Sequence, residues 1–320
     1  MLSKYLKTIL NGGVPETPSD PLAEGLAAYE AGDHAQAMEK LLIALEADPY
    51  QVDALGTLAR IHLERGENAE ALAHLQTAIQ FDAYNPQLYY SLGEASFGLN
   101  DLFAAERHYA RSTELNPDFT DAFIRQGMVL SELGRREDAI KAFERAIFLD
   151  RAAVVARYHL AQVCLQLEDY RRALTQLHMV KELHPTYAPV YLLQGDIQQR
   201  LGDARQAVVE YEKAVELGAG DADVFWQLGE LHLGLQNRDK ALKAFQQVVD
   251  IDPGHFPAQM QLARMHEEAK RLLQAQQAYE ALVASEEYGE LAREGLARIS
   301  AVLAEIAASM SGGADEAAGA

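Results

Sequence analysis

The sequence is poor in the features that staple, anchor or charge a protein for other tasks. It holds one cysteine, Cys164, in 320 residues, which excludes an internal disulfide and a cysteine cage for zinc. No uninterrupted apolar run approaches the roughly 20 residues that cross a bilayer. Lys4 and Lys7 interrupt the N-terminal stretch where a secretory signal would be apolar, so the expected location is cytoplasmic. Positive charge is scarce, with 28 Lys+Arg against 48 Asp+Glu and a net charge of −20. Nucleic-acid binding draws its non-specific free energy from cations on phosphates, so no nucleic acid is expected as a partner. Gly and Pro number 22 and 10, too few for a collagen-like or low-complexity chain. With 49% hydrophobic residues, stability has to come from packing.

What the chain does have is self-similarity. Phe225, Leu228, Gly229, His232, Ala241, Phe245 and Pro253 recur four periods of 34 residues earlier as Tyr89, Leu92, Gly93, Ser96, Ala105, Tyr109 and Pro117. Small residues step by 34 as Gly25, Ala59, Gly93, Gly127, Ala161, Gly195, Gly229 and Ala263, and again as Ala37, Ala71, Ala105, Ala139, Ala173, Ala207, Ala241 and Ala275. No insertion breaks the register from Asp20 onward. Each period contains two apolar-periodic stretches long enough for three helical turns. Gly32, Gly66, Gly134 and Gly202, with Asn100, sit where the first helix should end in a left-handed residue. Glu168 and Lys270 stand at that place in two other units. Asp33, Asp101, Asp169 and Asp203 follow as N-caps for the second helix, and Pro49, Pro117, Pro185 and Pro253 close it. The two small-residue series mark close helix crossings, with Leu41, Leu75, Tyr109, Phe143, Leu177, Tyr211, Phe245 and Tyr279 filling the space beside them.

This pattern resembles the tetratricopeptide repeat, whose 34-residue signature places an aromatic, Leu-Gly, an aromatic, Ala, an aromatic and Pro in this order. The resemblance covers eight units: 18–51, 52–85, 86–119, 120–153, 154–187, 188–221, 222–255 and 256–289. It implies an all-α, right-handed α-solenoid of helix-turn-helix units, with first helices lining a concave groove that binds peptides or helices. Residues 290–309 carry Ala292, Leu296, Ile299, Leu303 and Ile306 in one apolar seam, read as a capping helix or else as a dimerisation seam. Residues 310–320 are small and acidic, and are expected to form a disordered tail. At the other end, residues 1–17 form a segment and linker. Leu2, Tyr5, Leu6, Ile9 and Leu10 share a helical face there, suited either to a membrane surface or to folding back on the first repeat.

No chemistry is expected, and the chain is read as not an enzyme. The ten histidines include no pair spaced i, i+3 or i, i+4 for a metal. Cys164 stands at a position the family fills from the core, and no phosphate-binding glycine motif occurs. No cofactor or metal is expected. The residues left to consider are those of the groove. The fifth position of successive units contributes Tyr90, Ile124, Tyr158, Leu192, Trp226 and Met260, the ninth Glu94, Met128, Gln162, Asp196, Glu230 and Arg264, and the twelfth Phe97. The groove thus reads as an apolar ladder in an acidic frame, with Trp226, Tyr90, Tyr158 and Phe97 as the aromatic anchors. It would select basic or mixed basic-apolar segments. The ninth position never carries Asn and the fifth never Lys, so the family's Lys, Asn and Arg clamp on a chaperone's terminal carboxylate is not implied. The expected function is a non-catalytic scaffold or adaptor. The alternatives are a self-assembling or membrane-peripheral scaffold at the inner membrane, using Leu2, Leu6 and Ile9, and a regulatory subunit that recruits a catalytic partner. If Ala241 lies at a helix crossing, Ala241→Leu overpacks it and costs about 1–3 kcal/mol; an unchanged melting temperature would refute the placement.

Overall fold

A computed structural model describes residues 20–318, with side chains through 308. Among these residues there are seventeen helices and no strand. Two compact units divide the chain, the first ending at Leu167 and the second beginning at Glu168. The first unit contains α1 (Pro21–Glu30), α2 (His34–Ala47), α3 (Val52–Glu64), α4 (Asn68–Phe81), α5 (Pro86–Gly98), α6 (Leu102–Leu115), α7 (Thr120–Glu132), α8 (Arg136–Leu149) and α9 (Val154–Gln166). In the second are α10 (Tyr170–Leu183), α11 (Ala188–Arg200), α12 (Ala204–Glu216), α13 (Ala222–Gly234), α14 (Arg238–Ile251), α15 (Phe256–Glu268), α16 (Leu272–Leu282) and α17 (Gly289–Ala318). In each unit a helix packs on its successor, and in the first unit successive first helices also touch, α1 with α3, α3 with α5 and α7 with α9. The amphipathic residues Leu2, Leu6 and Ile9 lie outside the described residues.

The helix turns follow the repeat to the residue. Positive φ occurs at Gly32, Gly66, Asn100, Gly134, Glu168, Gly202, Gln236 and Lys270, a step of 34 throughout. The last helical carbonyls require the left-handed residue there, so the backbone adopts it even where the side chain is Glu, Gln or Lys. Asp33, Asp101, Asp169 and Asp203 accept from the backbone N–H three residues on, at 2.9–3.1 Å. The expected caps therefore form.

Paired helices are held by a small residue under a large one. A Cβ added at Gly93 would sit 2.5 Å from the ring of Tyr109, and one at Gly229 would sit 2.5 Å from Phe245. Both rings are fully buried, as are Ala105 and Ala241. The first helix can approach its partner only because nothing projects there.

Between repeats, position 28 of one unit meets positions 7 and 23 of the next. These are mostly apolar, as in Val215, Leu228 and Ala244. Between the fifth and sixth repeats they are Lys181, Gln194 and Glu210. Lys181 Nζ donates to Gln194 Oε1 at 2.8 Å and to Glu210 Oε2 at 3.0 Å, and lies 4.5 Å from the centre of the Tyr191 ring. Gln206 donates to the second Glu210 oxygen at 2.9 Å. The carboxylate is thus saturated in a nearly dry setting.

The last helix packs on the eighth pair. Ala292 and Ile299 are buried with Ala263, Ala275 and Tyr279, flanked by Leu296 and Leu303. Arg298 grips Glu267 through two nitrogens at 2.8 and 3.0 Å, so α17 covers the eighth pair. α17 runs to Ala318.

The Lys181 network generates a paired prediction. Lys181→Met leaves Glu210 buried without its cation and lowers stability by about 3 kcal/mol. The triple replacement Lys181→Val, Gln194→Leu, Glu210→Ala, which copies the next junction, restores most of it. Denaturant midpoints of both variants test this, and a triple variant no more stable than the single one would contradict it.

Candidate functional site

The residues expected to contact a partner lie on the first helices. In the first unit Tyr90, on α5, is half-buried; its ring centre lies 5.8 Å from that of Tyr109 and 5.1 Å from that of Phe119. Burial, followed by the nearby Glu94 charge, raises its pKa. Glu94, one turn along, accepts the hydroxyl of Tyr109 and pairs with Arg125 Nε at 3.1 Å. Burial first, then the Glu94 charge, holds Tyr109 protonated far above the usual phenol range. Phe97 packs beside Tyr90 on the cluster of Ala105, Tyr109 and Val129. Ile124 and Met128 are half-buried on α7. On α9, Tyr158 meets His159 edge-on at 5.6 Å, and Gln162 lies 2.8 Å from His159 Nδ1 while its amide donates to the Tyr158 hydroxyl at 3.4 Å.

In the second unit Trp226 projects from α13, half-buried, with its ring centre 5.2 Å from that of Phe245 and 5.0 Å from that of His255. Asp223 and Glu230 lie three residues before it and four after it, so the three form one stripe. Asp223 has no ion-pair partner among the described residues, and Glu230 accepts only the long amide contact of Gln261 at 3.4 Å. Asp196 accepts the Tyr211 hydroxyl at 2.6 Å, and burial foremost raises that phenol's pKa. Tyr279 repeats the device, donating to Glu267 at 2.6 Å, with its pKa pushed up to about 12 by burial and then by that bond. Leu192 is half-buried and Arg264 exposed. Met260 differs from the other rungs: at 4% exposure it lies in the core with Ala263, Tyr279 and Ile299.

Two sets of residues escaped the sequence reading. The sixth position supplies Arg125 and Gln261, which reach the ninth-position acids Glu94 and Glu230 across 31 residues. The thirty-fourth supplies Phe119 and His255, which lie against Tyr90 and Trp226. The rings Phe119, Tyr187 and His255 recur every two periods, a signal that was present. Among the described residues no group of three His, Cys, Asp or Glu could hold a metal, and no helix is long and apolar enough to cross a membrane.

Paired helices that recur every 34 residues define a helical-repeat protein. Family models for the tetratricopeptide repeat match residues 28–79, 124–187, 192–256 and 226–290, and a TPR repeat model matches 59–100. The chain belongs to the tetratricopeptide repeat family. It is 27% identical over 171 residues to anaphase-promoting complex subunit 3 of Schizosaccharomyces pombe, across 53% of this chain and 25% of that protein. It is 30% identical over 120 residues to cellulose synthase operon protein C of Escherichia coli, across 33% of this chain and 10% of that protein. The chain therefore spans a quarter or less of the length of these two relatives. Among solved structures, a TPR protein from Cytophaga hutchinsonii aligns with a TM-score of 0.62 at 16% identity, covering 74% of this chain and 97% of that one. Pseudomonas aeruginosa PilF aligns at 0.58 and 20%, covering 67% and 97%. YrrB, described as having an unusual peptide-binding site, aligns at 0.51 and 21%, covering 57% and 93%. These likenesses show the fold.

The histidines of this scaffold generate a pH prediction. Burial is the foremost cause that lowers the pKa of His74, His108, His159, His232 and His266. An imidazole depressed in the folded state takes up fewer protons than in the unfolded chain. The stability linked to it is complete above the ordinary imidazole pKa of about 6.5 and is lost as pH falls below it. The melting temperature should drop between roughly pH 7.5 and 5.5, and His74→Leu with His108→Leu should flatten that drop. A melting temperature that stays level across this range would contradict the assignment.

Proposed function

We propose that the chain is a non-catalytic scaffold that binds a peptide or helix of a partner protein on its first-helix faces. The partner segment carries lysine or arginine among apolar residues. The observation that carries the reading is the stripe on α13, where Trp226 is half-buried between Asp223 and Glu230 and neither carboxylate has a cation partner among the described residues. An aromatic face bracketed by unpaired carboxylates suits a basic side chain, which gains both a cation–π contact and an ion pair. Tyr90 offers a weaker version, since Arg125 already neutralises Glu94. A family role in protein–protein interaction, and the peptide-binding site described for YrrB, are consistent with this reading. Regulation of a catalytic partner would use the same surface.

Selection from a random peptide library against the whole chain tests the proposal. Enriched peptides should contain Lys or Arg beside apolar residues and should lose about tenfold or more in affinity for Trp226→Ala. Tyr90→Ala should have a smaller effect. Enriched peptides without basic residues, or indifferent to Trp226→Ala in a folded protein, would refute it.

A further inference from the structure

The 34-residue step does not stop with the eighth repeat. One step beyond Ala263, in the small-residue series of the first helices, stands Ala297 on α17, and Leu296, Ile299 and Leu303 continue Leu262, Met265 and Ala269 in the same way. α17 is thus placed as the first helix of a ninth repeat, with Ala292 and Ile299 buried against the eighth. Its second helix is not supplied by the described residues. In all eight repeats the small residue at position 8 is buried, but Ala297 is exposed. Ser300 and Ala304, at positions 11 and 15 of the same face, are exposed as well. Position 15 is where the other units turn, whereas Ala304 lies inside a continuous helix, so no described residue returns across this face.

The same step taken toward the N-terminus leads from Ala37 to Ser3 and from Pro49 to Pro15. Residues 3–15, which lie outside the described ones, therefore carry the small residue and the closing proline of a second helix, with Leu6 and Leu10 between them. Lys7 departs from the pattern, standing at position 24, which is uncharged in every repeat. α17 departs in the complementary sense. Its position 5 is Glu294, and that position too is uncharged in every repeat. Positions 5 and 24 touch across a helix pair, with ring centres 5.8 Å apart for Tyr90 and Tyr109 and 5.2 Å for Trp226 and Phe245. Glu294 is exposed and has no ion-pair partner among the described residues. The neighbouring cations turn elsewhere, Arg298 to Glu267 at 2.8 Å and Arg293 to the Val283 carbonyl at 3.4 Å. Residues 1–15 hold Lys4 and Lys7 and no acid.

We propose that residues 1–15 of a second copy of this chain dock on the open face of α17 as the second helix of the ninth repeat, with Lys7 pairing with Glu294 across Ala297. The two departures from the repeat then compensate each other, and the 34-residue register runs from one copy into the next. Within its own copy the segment leads through Pro15 to α1, where Ala27 is exposed although position 10 is buried in the seven later repeats. The contact is heterologous, because it joins unlike surfaces of two copies, so it propagates into a string of copies or closes into a ring. It involves neither Trp226 nor the α13 stripe.

Light scattering and sedimentation of the full chain over a range of concentrations test this. The expected mass exceeds the 35.3 kDa of one chain and rises with concentration. Lys7→Glu and Glu294→Lys should each weaken association about tenfold by setting like charges together. An equal mixture of these two variants should associate as the unaltered chain does, because each supplies the charge that the other lacks. Ala297→Tyr, at an exposed position where the melting temperature should hold, should abolish association. Trp226→Ala should leave it unchanged, which separates this contact from the first-helix reading. A mass of one chain at every concentration would overturn the proposal. So would a mixture that associates no better than either variant, or association that survives Ala297→Tyr.

Discussion

The structure depends on one close approach, that of a residue without a long side chain on the first helix to a large side chain on the second. Gly93 under Tyr109, Gly127 under Phe143, Gly195 under Tyr211 and Gly229 under Phe245 leave 2.5–2.6 Å where a Cβ would stand. Such contacts fix both the distance and the rotation of a helix pair, because interiors pack like crystals and a single methylene is felt. With the pairs so fixed, equivalent positions recur in equivalent places within each unit. Differences between repeats then become differences in chemistry at equivalent places.

The tyrosines show how this geometry also governs charge. A ring at position 24 that fills the crossing carries its hydroxyl to the first helix, where a carboxylate accepts it: Glu94 from Tyr109, Asp196 from Tyr211, Glu267 from Tyr279. Where phenylalanine takes that position, no such donor exists. Phe245 therefore leaves Glu230 with only the amide of Gln261. Whether such a carboxylate has a hydrogen-bond donor within the fold thus depends in part on whether the buried ring carries an oxygen.

Much of the fold was legible in the sequence because its determinants are local. A cap acts over three residues and a turn over four, so Asp33, Gly32 and their equivalents could be read directly. Gln236 was not read as a left-handed residue because nothing in glutamine favours that conformation; the neighbouring helix ends impose it. The site was less legible for a related reason. Arg125 neutralises Glu94 from 31 residues away, and no periodic count at the groove positions includes a sixth-position residue. Met260 fits the ladder by position, yet it is buried in a core cluster that includes Ala292 and Ile299 from beyond the repeats.

The bulk charge of −20 therefore overstates the acidity of the first-helix faces. Glu94 and Glu267 are balanced by Arg125 and Arg298, and the hydrogen bonds from Arg298 foremost, with that from Tyr279, hold Glu267 below the usual carboxylate range. Asp196 is partly spent on a phenol. What is left is uneven along the array, with an open pair of carboxylates concentrated around Trp226 in the seventh repeat. The same repeat has alanine at position 23 and an unpaired Lys243 on its second helix. Specific recognition needs such unevenness, since a uniform array would bind the same segment in every register.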